Sequence, residues 1–83
     1  MQREITILED DRDIREIFTY LFISEGYKVN SFDSVSAFAG HPTHPDIFLL
    51  DVMLPDGSGL DVCRNLKANP SYSSTPIIIM SAH

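Results

Sequence analysis

The feature that most constrains this chain is a pair of short apolar runs that do not alternate. Residues 46–50 read DIFLL and residues 76–80 read PIIIM. A strand with one wet face alternates apolar and polar residues. A continuous apolar run of this length fits a strand buried on both faces, which needs helices on both sides of a parallel sheet. The other segments meet that demand. Glu4 to Leu8 (EITIL) is a third β-rich run. From Asp11 or Arg12 onward, Ile14, Ile17, Phe18, Leu21 and Phe22 recur at helical spacing, which predicts one apolar stripe and a stop at Gly26. Tyr27 to Phe32 alternates and reads as a less buried strand, with Tyr27, Val29 and Ser31 on one face. Asp33 or Ser34 can cap a short helix over Val35 to Ala39, closed by Gly40, Pro42 and Pro45. Ser58 to Ala68 predicts a third helix, with Leu60, Cys63 and Leu66 inward and Asn69-Pro70 ending it.

The resulting order is βαβαβαβ. It implies an α/β fold with right-handed crossovers and a parallel sheet. With 83 residues there is room for one domain. The single cysteine, Cys63, allows no disulfide framework, and its place on the inward stripe makes it a small core residue. Twelve acids against six bases leave a net charge of −6, so a nucleic-acid groove in this segment is not expected. No apolar run approaches the ~18 residues of a membrane span. The first is broken by Glu9, Asp10 and Asp11, so no signal peptide is expected either. The expectation is a soluble, acidic, cytoplasmic protein.

In open parallel sheets, ligands bind beyond the carboxyl ends of the strands, where the strand order reverses. Here those ends hold Glu9-Asp10-Asp11, Asp51 and Ser81. Glu9, Asp10 and Asp51 would form a cluster of carboxylates whose mutual repulsion a cation relieves. Mg²⁺ takes one or two carboxylates, keeps several waters and often binds a phosphoryl oxygen. The cluster therefore suggests metal-assisted phosphoryl transfer, with a carboxylate nucleophile giving an aspartyl phosphate. A hydroxyl such as Ser81 could donate a hydrogen bond to the transferred group. The remaining polar residues have plainer readings. Asp11 or Asp13 is a helix cap, Asp56 is a turn residue before Gly57, and His41 and His44 belong to a solvated loop. Phe18, Phe22, Phe38 and Phe48 are core packing.

Three motifs carry a resemblance: ILEDD at the first strand end, DVMLPDGSG after the third strand, and PIIIMSA at the fourth. In this order the chain resembles the receiver domain of bacterial response regulators. The resemblance implies a flavodoxin-like, doubly wound parallel sheet, here with four strands in the order 2-1-3-4. It implies that Asp51 is the phospho-acceptor, with Asp10 a direct Mg²⁺ ligand, Glu9 acting through water and Met53 giving a backbone carbonyl. Ser81 matches the switch hydroxyl, and Ala82 the small residue that leaves the phosphate pocket open. Pro55 and Gly59 fit the loop after the acceptor. Met53 and His83 fall where side chains modulate loss of the phosphoryl group. The implied donor is a sensor histidine kinase or a phosphotransfer protein. The domain would then be a phosphoryl acceptor, and not an enzyme acting on small molecules.

Residues 1–83 match only part of that pattern, and the expectation is a partial receiver lacking the family's last helix, strand and helix. The family's lysine lies on the fifth strand, and neither Lys28 nor Lys67 follows a matching strand. The alternative is therefore a non-phosphorylated docking or dimerisation remnant whose switch is lost. A fourth strand left at the edge is expected to drive self-association. A haloacid-dehalogenase-type phosphohydrolase also uses a strand-end aspartate, but it wants a second acid where this chain has Met53.

Overall fold

The computed structural model describes residues 2–81. The main sheet contains β1 (Glu4–Leu8), β2 (Lys28–Phe32), β3 (Ile47–Asp51) and β6 (Ile77–Met80). All its pairings are parallel and the order is β2-β1-β3-β6. This is the expected 2-1-3-4 order, because β6 is the fourth strand of the main sheet. Between β3 and the last helix lie two short strands, β4 (Met53–Leu54) and β5 (Gly57–Ser58), which form an antiparallel hairpin.

Helix α1 (Arg12–Ser24) covers one face of the sheet. Helices α2 (Val35–Ala39) and α3 (Gly59–Ala68) cover the other. Alternate strand residues divide between the two sides. Ile5, Ile7 and Leu49 pack with Phe18, Phe22, Tyr27 and Val29 under α1. Leu8, Phe48 and Leu50 pack with Val62 and Leu66 of α3. β1 and β3 are central and covered on both sides, which is why their sequences do not alternate.

Local chemistry sets the helix ends. Asp11, Ser34 and Ser58 are the N-caps, accepting from the backbone N–H of Ile14, Ala37 and Leu60 respectively. Gly26 follows α1 with φ +90°, a left-handed conformation open to glycine at little steric cost. α1 and α3 thus start and stop close to where the sequence places them.

Three expectations about burial need correction. Leu60 points outward and is half exposed, whereas Gly59, Val62 and Leu66 are buried. The inward line of α3 starts at a glycine, so the apolar pattern misplaces it by one residue. A β-carbon on Gly59 would collide with the Asp51 carbonyl, so α3 begins in direct contact with the end of β3. On α1, Phe18 and Phe22 reach the core, but Ile17 and Leu21 stay half exposed. The stripe is wider than the contact that the sheet offers. β6 is not buried on both faces: Ile78 is 48% exposed, because the strand lies at the sheet edge.

Candidate functional site

The site follows from strand register. β1 and β3 are adjacent and parallel, with Leu8 opposite Leu50. One step further along, Glu9 leaves β1 beside Asp51, the last residue of β3. Asp10 is next in the β1–α1 turn. Carboxylate oxygens of Glu9, Asp10 and Asp51 all lie within 4.8 Å of one another. Glu9 and Asp51 are buried, and Asp10 is exposed. The cluster therefore opens to solvent on the Asp10 side. It sits at the strand-order reversal between β1 and β3, where parallel sheets bind ligands.

Electrostatics follow from that crowding. Burial pushes the Glu9 carboxyl from 4.5 up to about 7, and a hydrogen bond with the Asp51 carboxyl adds to the rise. The Asp11 N–H donates to Glu9 Oε2 at 3.2 Å and pulls the other way. Asp51 Oδ1 accepts from the Met53 N–H at 3.2 Å. Two buried carboxyls in contact favour a shared proton over two charges, and a divalent cation removes that conflict.

The three carboxylates fit such a cation. Oxygens across an octahedral Mg²⁺ stand about 4.1 Å apart, given metal–oxygen bonds of about 2.0–2.1 Å. Neighbouring oxygens on that octahedron stand only about 2.9 Å apart, so the carboxylates, within 4.8 Å of one another, have to draw closer or reach the ion through water to share it. Among the described residues this is the one group of three or more acids, histidines or cysteines close enough to hold an ion. His41 and His44 are exposed, as expected, and their rings stack on Phe32 and Tyr72.

Ser81 is exposed and follows β6 directly. Since Met80 lies opposite Asp51, Ser81 falls one register step beyond the acceptor position on the neighbouring strand. Met53 is 65% exposed, and its link to the acid cluster is the backbone N–H that Asp51 accepts. Ala82 and His83 lie outside the described residues. Both lysines are engaged elsewhere. Lys28 Nζ is 3.9 Å from Glu4, and Lys67 Nζ donates to the Thr75 carbonyl at 2.9 Å.

Two supports went unseen in the sequence. Arg15 Nη1 donates to the Glu9 carbonyl at 2.9 Å and to the Asp10 carbonyl at 3.4 Å, which fixes the backbone of the acid pair. An arginine one turn into the helix after two acids was the available signal. Asp56 does more than occupy a turn. Its two carboxylate oxygens accept from the N–H groups of Val35 and Ser36, at 2.8 and 2.9 Å.

A family model described as the response regulator receiver domain matches residues 5–83. The DNA-binding response regulator MtrA of Mycolicibacterium smegmatis is 36% identical over 84 residues, covering 99% of this chain and 36% of that protein. The phosphate regulon transcriptional regulatory protein PhoB of Escherichia coli is 32% identical over 85 residues, covering 99% of this chain and 37% of that one. The chain thus spans about a third of the length of these curated relatives. Among solved structures, the receiver domain of a sensor histidine kinase from Pseudomonas aeruginosa superposes with a TM-score of 0.88 at 25% identity, covering all of this chain and 70% of that one. That structure is described with a magnesium ion coordinated in its active-site cleft.

Proposed function

Because the chain belongs to the response regulator receiver domain family, we propose that it accepts a phosphoryl group onto Asp51 from a phosphohistidine on a sensor kinase or phosphotransfer protein. The observation that carries this reading is the convergence of Glu9, Asp10 and Asp51 within 4.8 Å at the ends of two adjacent strands. In the transfer, an ionised Asp51 oxygen attacks phosphorus, the histidine N–P bond breaks with its electron pair going to the ring nitrogen, and the ring, already protonated at its other nitrogen, leaves as neutral imidazole.

Asp10 and Asp51 would hold Mg²⁺ directly, Glu9 through water, and Met53 through its carbonyl. The ion would neutralise charge on the phosphoryl oxygens. The chain's own groups do the rest. The Met53 N–H holds Asp51 Oδ1 in place, and Arg15 holds the loop of the acid pair. We assign the Ser81 hydroxyl, one residue past the Met80 that pairs with Asp51, as a donor to a phosphoryl oxygen. This is a cytoplasmic signal acceptor in our reading, and not an enzyme that turns over small molecules. The net charge of −6 argues against nucleic-acid contact by this segment.

Beryllofluoride, a stable mimic of a bound phosphoryl group, tests the site directly. With Mg²⁺ present, ¹⁹F NMR should show a protein-bound signal that disappears in Asp51→Asn. A parent chain that binds Mg²⁺ but not beryllofluoride would favour the docking module over the acceptor.

A further inference from the structure

We propose that Asp56 is a positioning residue for the acceptor site, acting through a clasp between the β4–β5 hairpin and helix α2. The inference rests on the receiver chemistry above and adds a residue to it. The loop from Asp51 to Gly59 returns on itself: the Gly59 N–H donates to the Val52 carbonyl at 3.0 Å, and Met53 pairs with Ser58. The base of the loop is anchored as well, since the Val52 N–H donates to the Met80 carbonyl at 2.9 Å. Asp56 stands at its tip, where a two-strand hairpin of two residues each has little rigidity of its own.

The tip is held by α2. Ser34 satisfies the Ala37 N–H, leaving the Val35 and Ser36 N–H groups of the first turn. Asp56 takes both, from 21 and 20 residues away. These two donors also hold its carboxyl below the usual range. The adjacent Gly57 completes the contact. A β-carbon on Gly57 would stand 3.1 Å from a Val35 methyl, so the hairpin approaches α2 closely. The clasp therefore fixes the far end of a loop whose near end carries Asp51 and Met53. If it opens, Met53 loses the support that holds its N–H on Asp51 and its carbonyl where it would meet Mg²⁺.

The test compares Asp56→Ala, Asp56→Asn and the parent, with Asp33→Asn as a control for lost surface charge. Mg²⁺ affinity is measured by calorimetry, and hydrogen exchange at the Met53 amide by NMR. Removing a residue that supports a metal ligand from outside typically costs about 10–100-fold in affinity, so a more remote clasp should cost about 3–10-fold. Asp56→Ala should bind Mg²⁺ that much more weakly and exchange Met53 faster. Asp56→Asn keeps one accepting oxygen and should fall between, while Asp33→Asn should match the parent. A role confined to capping α2 would lower the melting temperature and speed exchange at Val35 and Ser36 alone. That result, or equal weakening in Asp33→Asn, would overturn the proposal. A parent chain without Mg²⁺ affinity would overturn the receiver chemistry and the positioning role together; parent binding with unchanged variants would overturn the positioning role alone.

Discussion

The carboxyl groups of Glu9 and Asp51 are hydrogen-bonded to each other across the ends of two adjacent parallel strands. The pair is out of water, and Glu9 is drawn up to about 7. This one contact makes Glu9 hold its proton to a higher pH, and it is the conflict that a divalent cation would relieve.

The first consequence is an inverted pH profile of stability. Glu9 titrates at 4.5 ordinarily and at about 7 in the fold. Between those values the folded chain holds a proton that the unfolded chain does not, so stability falls as pH rises through that window. The contribution is full below 4.5 and lost above about 7. Without divalent cations, the melting temperature should drop as pH rises from 4.5 to about 7. Glu9→Gln should remove most of that slope. A profile as steep in the variant as in the parent would mean that another group is responsible.

A second consequence concerns the cation. Binding Mg²⁺ should expel the shared proton, so affinity should be tighter at pH 8 than at pH 6. Mg²⁺ at 100 times its dissociation constant should add about 2.7 kcal/mol of stability. Calorimetry in buffers of different ionisation enthalpy would count the proton released. Asp10→Asn and Asp51→Asn should each lose most of the Mg²⁺-dependent rise in melting temperature.

The junction of α3 with β3 predicts a steric result. Gly59→Ala would drive a β-carbon into the Asp51 carbonyl and should cost about 3 kcal/mol in urea denaturation. On the same helix, Leu66→Ala should cost about 2–3 kcal/mol, because Leu66 is buried in the core. Leu60→Ala should cost less than about 0.5 kcal/mol, since Leu60 is half exposed.

Why the sequence misplaced that face is physical. The rule that ligands gather at strand ends needs only strand identity and polarity, and ILEDD and DIFLLD supply both. Glu9, Asp10 and Asp51 were legible for that reason. The face of α3 was not, because a glycine with no apolar signal carries its closest contact. Asp56 and Arg15 were also hidden. Their partners are backbone groups, which every residue has, and for Asp56 they lie 20 residues away. The half-exposed β6 followed from its place at the edge, which its composition alone did not reveal.

That edge makes a prediction for the 83-residue polypeptide itself. Among the described residues β6 pairs with β3 on one side only, and Ile78 is half exposed. Open apolar edges recruit further strands. Sedimentation velocity should show dimers or larger species, and Ile78→Lys should shift the population toward monomer. A sharp monomer boundary for the parent would rule this out.

The central claim is that Asp51 accepts a phosphoryl group within the acid cluster. It is tested most directly by intact mass after incubation with acetyl phosphate and Mg²⁺, beside Asp51→Asn and a sample without the metal. The predicted result is a gain of one phosphoryl group in the parent only when Mg²⁺ is present, and none in Asp51→Asn. No gain in a folded parent that binds Mg²⁺, or an equal gain in Asp51→Asn, would contradict the claim.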